Sequence, residues 1–204
     1  MVNDNHLLVV DVYIAKIPND ITFGTIVPKT REKEIMACAH TQVKRQKYCA
    51  WKLLEYALNS SFGLPMSALK FEKDAHGKWS TPDCYFSITH CGAFVAVAVC
   101  RAKVGVDLES RSKKLLTASR KFLTEQEKLV LQTLEEAEQL DYLAGIWTQK
   151  ESIFKAFGEG GFIPSKIQAD EYCTQTKTLK DGLILTVATE QAACIRYYDN
   201  VECL

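Results

Sequence analysis

Two acids spaced two apart, Asp107 and Glu109 in the run GVDLE (105–109), give the first opening for chemistry. Val106 and Leu108 between and beside them mark an extended strand, in which residues two apart face the same way. The carboxylates then share a face, their Cα atoms about 6–7 Å apart. They repel unless a cation or a proton lies between them. With no Cys or His beside them, such oxygen donors suit a hard ion like Mg²⁺. The plainer reading is a strand end whose acids point into water and pair with Arg111 or Lys113.

Trp147, Glu151 and Lys155 recur every four residues and form one stripe if the segment is helical. A Glu four residues before a Lys is also a common surface pair, worth only about 0.3–0.5 kcal/mol. Trp147 on the same stripe argues for a drier setting. The glycine-rich turn at 158–161 reads as a helix end or as a phosphate cradle. In YFSITHCG (85–92), strand alternation puts Ser87 and Thr89 on one face and His90 on the other. A strand-end imidazole can donate to a phosphate oxygen, or simply bond a backbone carbonyl. No G-x-S-x-G elbow accompanies it, which weighs against a Ser-His-Asp hydrolase. Thr124 and Glu127 read as a capping box, a complete structural account of Glu127 that leaves a second role near a metal open.

These residues need elements to hold them. Residues 7–17 are apolar and β-rich, so a strand opens the chain. Pro28 can start a first helix, and a second runs from Thr41 as N-cap to Gly63, with Val43, Ala50, Trp51, Leu54, Ala57 and Leu58 at helical spacing. Strands are predicted at 69–73, 85–90, 93–100 and 104–109, with a turn at 74–77. After Ser110 the pattern becomes helical, with helices at 124–134 and 138–157. Short strands follow near 167–173, 183–189 and 193–198, with Asp181-Gly182 as a hairpin turn between two of them, and the segment 166–204 completes the second sheet. The regular alternation of a doubly wound sheet is missing, so the expected class is α+β, in two similar halves meeting near residue 103.

Composition bounds the partners. Lys+Arg and Asp+Glu balance at 25 each, hydrophobic residues make up 47% and charged residues 25%. Such a balance argues against coating nucleic acid or anionic membrane. The longest uncharged run, 84–100, is broken by polar residues and too short to span a bilayer. Asp4 and His6 precede the first apolar run with no basic leader, so a cytoplasmic chain is expected. The eight cysteines contain no C-x-x-C pair and lie mostly among apolar neighbours, as reduced core residues would. Charge is uneven locally: seven bases against two acids between Lys29 and Lys52, and six acids against one base between Glu125 and Asp141. These are solvated helix faces, or the basic helices hold a phosphate-rich ligand.

Taken in order, GVDLE, then Phe122, Thr124 and Glu127, then the pattern W-x-x-K-E-S-x-x-K-x-x-G from Trp147 to Gly158 closely resemble the signature of the 4′-phosphopantetheinyl transferases. The likeness is to the longer, monomeric type of the surfactin-synthetase activator, and YFSITHCG and Gly77-Lys78 resemble further elements of that type. Three positions depart from its pattern: Thr89 and Cys91 where it usually has Ser, and Trp79 where it has Pro. The resemblance implies an α+β fold of two similar halves related by a pseudo-two-fold (1–103 and 104–204), with the active site at their interface. It implies Mg²⁺ bound by Asp107, Glu109 and Glu151. It implies coenzyme A contacts from Lys29, Arg31, Arg45, Lys78, Thr89, His90 and Lys155. Glu151 and Lys155 would be catalytic, and Glu127 would be an accessory. The implied reaction moves the phosphopantetheine arm of coenzyme A to a serine of an apo acyl or peptidyl carrier protein, in a cytoplasmic monomer with no nucleic-acid or membrane partner. Other classes consistent with the same residues are a catalytically silent carrier- or nucleotide-binding module and a Mg²⁺-dependent pyrophosphohydrolase.

Overall fold

Strand β5 (Phe94–Cys100) explains the layering of the molecule. Its sequence FVAVAVC is apolar on both faces and almost wholly buried, as expected for a strand covered on two sides. Val95, Val97 and Val99 pack with the long helix over Thr41–Phe62, while Ala96, Ala98 and Cys100 pack against a second sheet. In the computed structural model, which describes residues 7–202, β5 lies in a four-stranded sheet. Its neighbours are β1 (Leu8–Lys16) and β4 (Tyr85–Cys91), both antiparallel to it.

Helices α1 (Lys29–Met36) and α2 (Thr41–Phe62) cover the outer face of this sheet. Gly63, in the left-handed conformation, ends α2. A short ribbon, β2 (Glu72–Lys73) and β3 (Trp79–Ser80), follows, its turn formed by Asp74, whose Oδ1 accepts the N–H groups of His76 and Lys78 at 2.9 and 2.8 Å. The second sheet opens with β6 (Val104–Ser110), after which come α3 (Lys113–Phe122), α4 (Glu125–Thr133) and α5 (Glu136–Phe157). β7 (Cys173–Thr178) and β8 (Leu183–Thr189) complete it in the order β6-β8-β7, all antiparallel. Val106, Leu108, Leu185 and Val187 face the first sheet, whereas Ile184 and Ala188 face the helices α3 and α5. The architecture is α+β, layered helix, sheet, sheet, helix.

Three expectations change. The final strand, β9 (Ala193–Tyr198), joins the first sheet, parallel to β1, rather than completing the second. Its register sets Arg196 beside Asp11, where the guanidinium donates to both carboxylate oxygens at 2.5 and 2.7 Å. In place of the strand expected at 167–173 stands one 3₁₀ turn, Ala169–Glu171, and β7 starts at Cys173. Only Glu72–Lys73 of the strand expected at 69–73 forms. Among the described cysteines, Cys49, Cys84 and Cys100 are core residues as expected, but Cys173 and Cys194 are exposed; Cys203, Asp4 and His6 lie outside the described residues. No described helix is long and apolar enough to cross a membrane.

Candidate active site

Strands β4 and β6 belong to different sheets yet run side by side, and side chains rather than a backbone ladder join them. The polar positions of β4, two apart, all reach across. Ser87 Oγ accepts the Val106 N–H at 3.0 Å, Thr89 Oγ1 donates to Asp107 Oδ1 at 2.9 Å, and Cys91 Sγ donates to Glu109 at 3.4 Å. Alternation thus places Ser87 and Thr89 together, as the sequence predicts. Burial pushes the Cys91 thiol up to about 11, with Glu109 adding to it, so this sulfur is an inert partner rather than a nucleophile.

Helix α5 meets this seam because Gly105 has no side chain. A Cβ there would stand 1.8 Å from the Ser152 carbonyl oxygen. The close approach carries Lys155 onto β6, where its Nζ donates to Asp107 Oδ1 at 2.6 Å and to the Val106 carbonyl at 3.2 Å. Glu151 lies one turn earlier. Burial raises its carboxyl above the usual range; Lys155 opposes that, while Asp107 and Glu109 push it further up.

Beside the seam opens a cavity of about 620 Å³. Arg31, Lys47, Lys78, His90 and Lys155 line it, together with an aromatic wall of Trp51, Trp79, Phe86 and Phe154. The Gly158–Gly160 turn forms part of its rim. Lys78 reaches over from the β2–β3 ribbon, its Nζ donating to the Lys155 carbonyl at 2.6 Å. Burial lowers the affinity of His90 for a proton, and the Lys155 cation lowers it further, which favours a neutral imidazole at pH 7. Arg31 lies over the Trp51 ring at 4.9 Å. A basic enclosure with an apolar wall suits a ligand that joins phosphates to a less polar body.

Of the residues singled out in the sequence, Arg31, Lys78, His90 and Lys155 face the cavity, and Asp107, Glu109 and Glu151 gather at the seam. Thr89 is not on the cavity wall; it is 5% exposed and bonded to Asp107. Lys29 and Arg45 also stand off the wall. Lys29 pairs with Glu32 at 3.1 Å, and Arg45 donates to the carbonyls of Pro18 and Asn19. Glu127 closes its capping box and also pairs with Lys150 at 2.7 Å. In sequence terms Lys47 takes no site role, and Ser87 reads only as sharing a face with Thr89. Lys47 had a legible signal, since it lies one helical turn before Trp51 on the same face. The partner of Ser87 had none, because it is a backbone N–H on another sheet.

The donor chemistry at the seam fits a hard divalent ion: three carboxylates, with Glu151 raised by burial and further by its neighbours Asp107 and Glu109. As the side chains stand, no three acidic, His or Cys groups among the described residues converge on one point. The Lys155 ammonium neutralises Asp107, and Glu109 accepts the Ser110 N–H at 2.8 Å.

Residues 103–197 match the family model described as the 4′-phosphopantetheinyl transferase superfamily. The chain is 26% identical over 181 residues to the 4′-phosphopantetheinyl transferase gsp of Aneurinibacillus migulanus, covering 85% of this chain and 76% of that protein. It is 29% identical over 171 residues to the 4′-phosphopantetheinyl transferase psf-1 of Bacillus pumilus, covering 74% and 73%. A third relative, the 4′-phosphopantetheinyl transferase of Bacillus subtilis, is 29% identical over 115 residues, 55% of this chain and 51% of that one. The chain is thus similar to 4′-phosphopantetheinyl transferases, through the family model over its second half and through the relatives over most of its length. These likenesses support an enzyme of the transferase class.

Proposed function

We propose that this protein transfers the 4′-phosphopantetheine arm of coenzyme A to a serine hydroxyl of an apo acyl or peptidyl carrier protein, releasing adenosine 3′,5′-bisphosphate. The observation that carries the reading is Lys155: one ammonium shared between the acidic seam and the floor of a basic cavity. Phosphoryl transfer asks chiefly for charge neutralisation and in-line placement, and these residues supply both.

Arg31, Lys47 and Lys78 bind the phosphates of coenzyme A, and His90 donates an N–H to one of them. The aromatic wall takes less polar parts of the molecule. The serine oxygen attacks the phosphorus that carries pantetheine, and the bond from that phosphorus to the bridging oxygen breaks. Lys155 donates to the departing bisphosphate as its charge grows. Glu151 accepts the serine proton, directly or through a water. Asp107, Glu109 and Glu151 would hold Mg²⁺, which would neutralise pyrophosphate charge when bound. The halves 1–103 and 104–204 divide the work: the first contributes most of the basic wall, the second the carboxylates and Lys155. On this reading the enzyme acts as a cytoplasmic monomer, and its balanced charge supports partners other than nucleic acid or membrane.

The test is intact-mass spectrometry of several apo carriers incubated with the protein, coenzyme A and Mg²⁺. Gain of the arm's mass on at least one carrier is the expected result. Coenzyme A cleaved without any carrier would make the protein a pyrophosphohydrolase, and binding with no transfer would make it a silent module.

A further inference from the structure

Lys150 sits in the middle of α5, next to Glu151, with its side chain 0% exposed. A lysine taken wholly out of water is costly unless it is paired and hydrogen-bonded. Its Nζ donates to Glu127 Oε2 at 2.7 Å and to the Phe122 carbonyl at 2.9 Å. Phe122 is the last residue of α3, where helix geometry leaves carbonyls without intrahelical partners. The same Glu127 oxygen accepts the Thr124 N–H at 2.7 Å and so closes the box that starts α4. One ammonium therefore ties the end of α3, the start of α4 and the middle of α5 to a single point. Successive side chains of a helix are turned by a fixed angle. Holding Lys150 toward α3 and α4 consequently sets the direction in which Glu151 leaves the helix, and that of Lys155 one turn later.

We propose that Glu127 and Lys150 are positioning residues, whose buried ion pair sets the rotation of α5 so that Glu151 and Lys155 meet the seam. Glu127, on this view, takes no proton from the substrate: its carboxylate is committed to an ammonium and a backbone N–H. The proposal rests on the transferase reading above, and the experiment separates the two.

Three variants of the full chain are compared for arm transfer, thermal stability and amide hydrogen exchange. Glu127→Gln keeps an oxygen acceptor for both donors but leaves the Lys150 ammonium without its countercharge, so thermal stability should fall, while kcat, with the contacts still made, should fall less than threefold with the acid limb of the pH profile in place. Lys150→Met should lower kcat at least tenfold while the KM for coenzyme A moves less than twofold, because the cavity wall is untouched. The double variant Glu127→Gln, Lys150→Met also removes the stranded carboxylate. It should regain thermal stability lost in Lys150→Met, yet keep the low kcat and exchange faster than wild type over residues 150–156. A hundredfold loss in Glu127→Gln, with the acid limb gone, would make Glu127 a base and overturn the proposal. A double variant with wild-type kcat and wild-type exchange would overturn it too. If Lys150 variants do not fold, Glu127→Gln alone decides between base and positioning residue. Wild-type protein that modifies no carrier would refute the transferase reading instead, and the exchange rates would still judge the ion pair.

Discussion

Between Lys29 and Lys52 seven basic residues crowd a short stretch, and charge alone would make them equals. The structure separates them. Arg31 and Lys47 line the cavity, whereas Lys29 leans on Glu32, Arg45 on two backbone carbonyls and Lys52 on Glu55. The β4–β6 seam is the opposite case. Its polar residues are few, and Ser87, Thr89 and Cys91 each meet a partner on β6. The difference lies in how each element aims its side chains. A strand fixes direction by strict alternation, so a polar residue on the seam face has one place to go. Long side chains on a helix surface swing toward whichever partner is near.

Breaking the seam at its most connected residue should have the largest effect. Lys155→Ala removes the donor shared by Asp107 and the cavity, and holo-carrier formation should fall about 10²–10³-fold, with the circular dichroism spectrum unchanged. Gly105→Ala attacks the same seam through packing. Forcing β6 and α5 apart should cost about 1–3 kcal/mol, seen as a melting temperature lowered by about 2–4 °C per kcal/mol. Thr89 sharpens the comparison, because its hydroxyl serves Asp107 rather than the cavity. Thr89→Val should reduce kcat about tenfold, near the ~1.4 kcal/mol of one good hydrogen bond, and Thr89→Ser should restore most of it.

In the basic stretch, effects should be smaller and uneven. Arg31→Ala should raise the KM for coenzyme A several-fold, while Lys29→Ala should leave it within twofold of wild type. Equal effects from both would mean that charge density, not placement, governs binding. The smallest expected signal is on stability. Burial raises the Glu151 carboxyl, so the charged form opposes folding above its folded-state titration and that penalty fades as pH falls through it. Glu151→Gln should therefore raise the melting temperature at pH 8 by a few degrees, and by less at pH 4, even as it removes activity. A calorimetric scan at both pH values decides.

Much of the site was legible along the chain. GVDLE carries its own strand signal, and alternation puts Asp107 and Glu109 on one face. The four-residue spacing of Glu151 and Lys155 reads directly as one face of a helix, and Thr124 with Glu127 reads as a capping box, which forms. Other features depend on partners far away in sequence. Nothing local tells Lys150 from an ordinary surface lysine, because its burial comes from α3 and α4 folding over it. Nor does local pattern send β9 to β1: its alternating, half-exposed sequence ACIRYY suits the edge of either sheet.

Residue type and spacing by themselves determined the acidic strand and the Glu151–Lys155 helix, which are short-range properties set by backbone periodicity, while the order of the motifs carried the resemblance to a family. Which bases face the cavity, that Thr89 bonds a carboxylate, and that Gly105 lets α5 lie against β6 were decided only in three dimensions. Each of these depends on two segments distant in the chain coming within a few ångströms, and packing of the whole core, not local preference, brings them there.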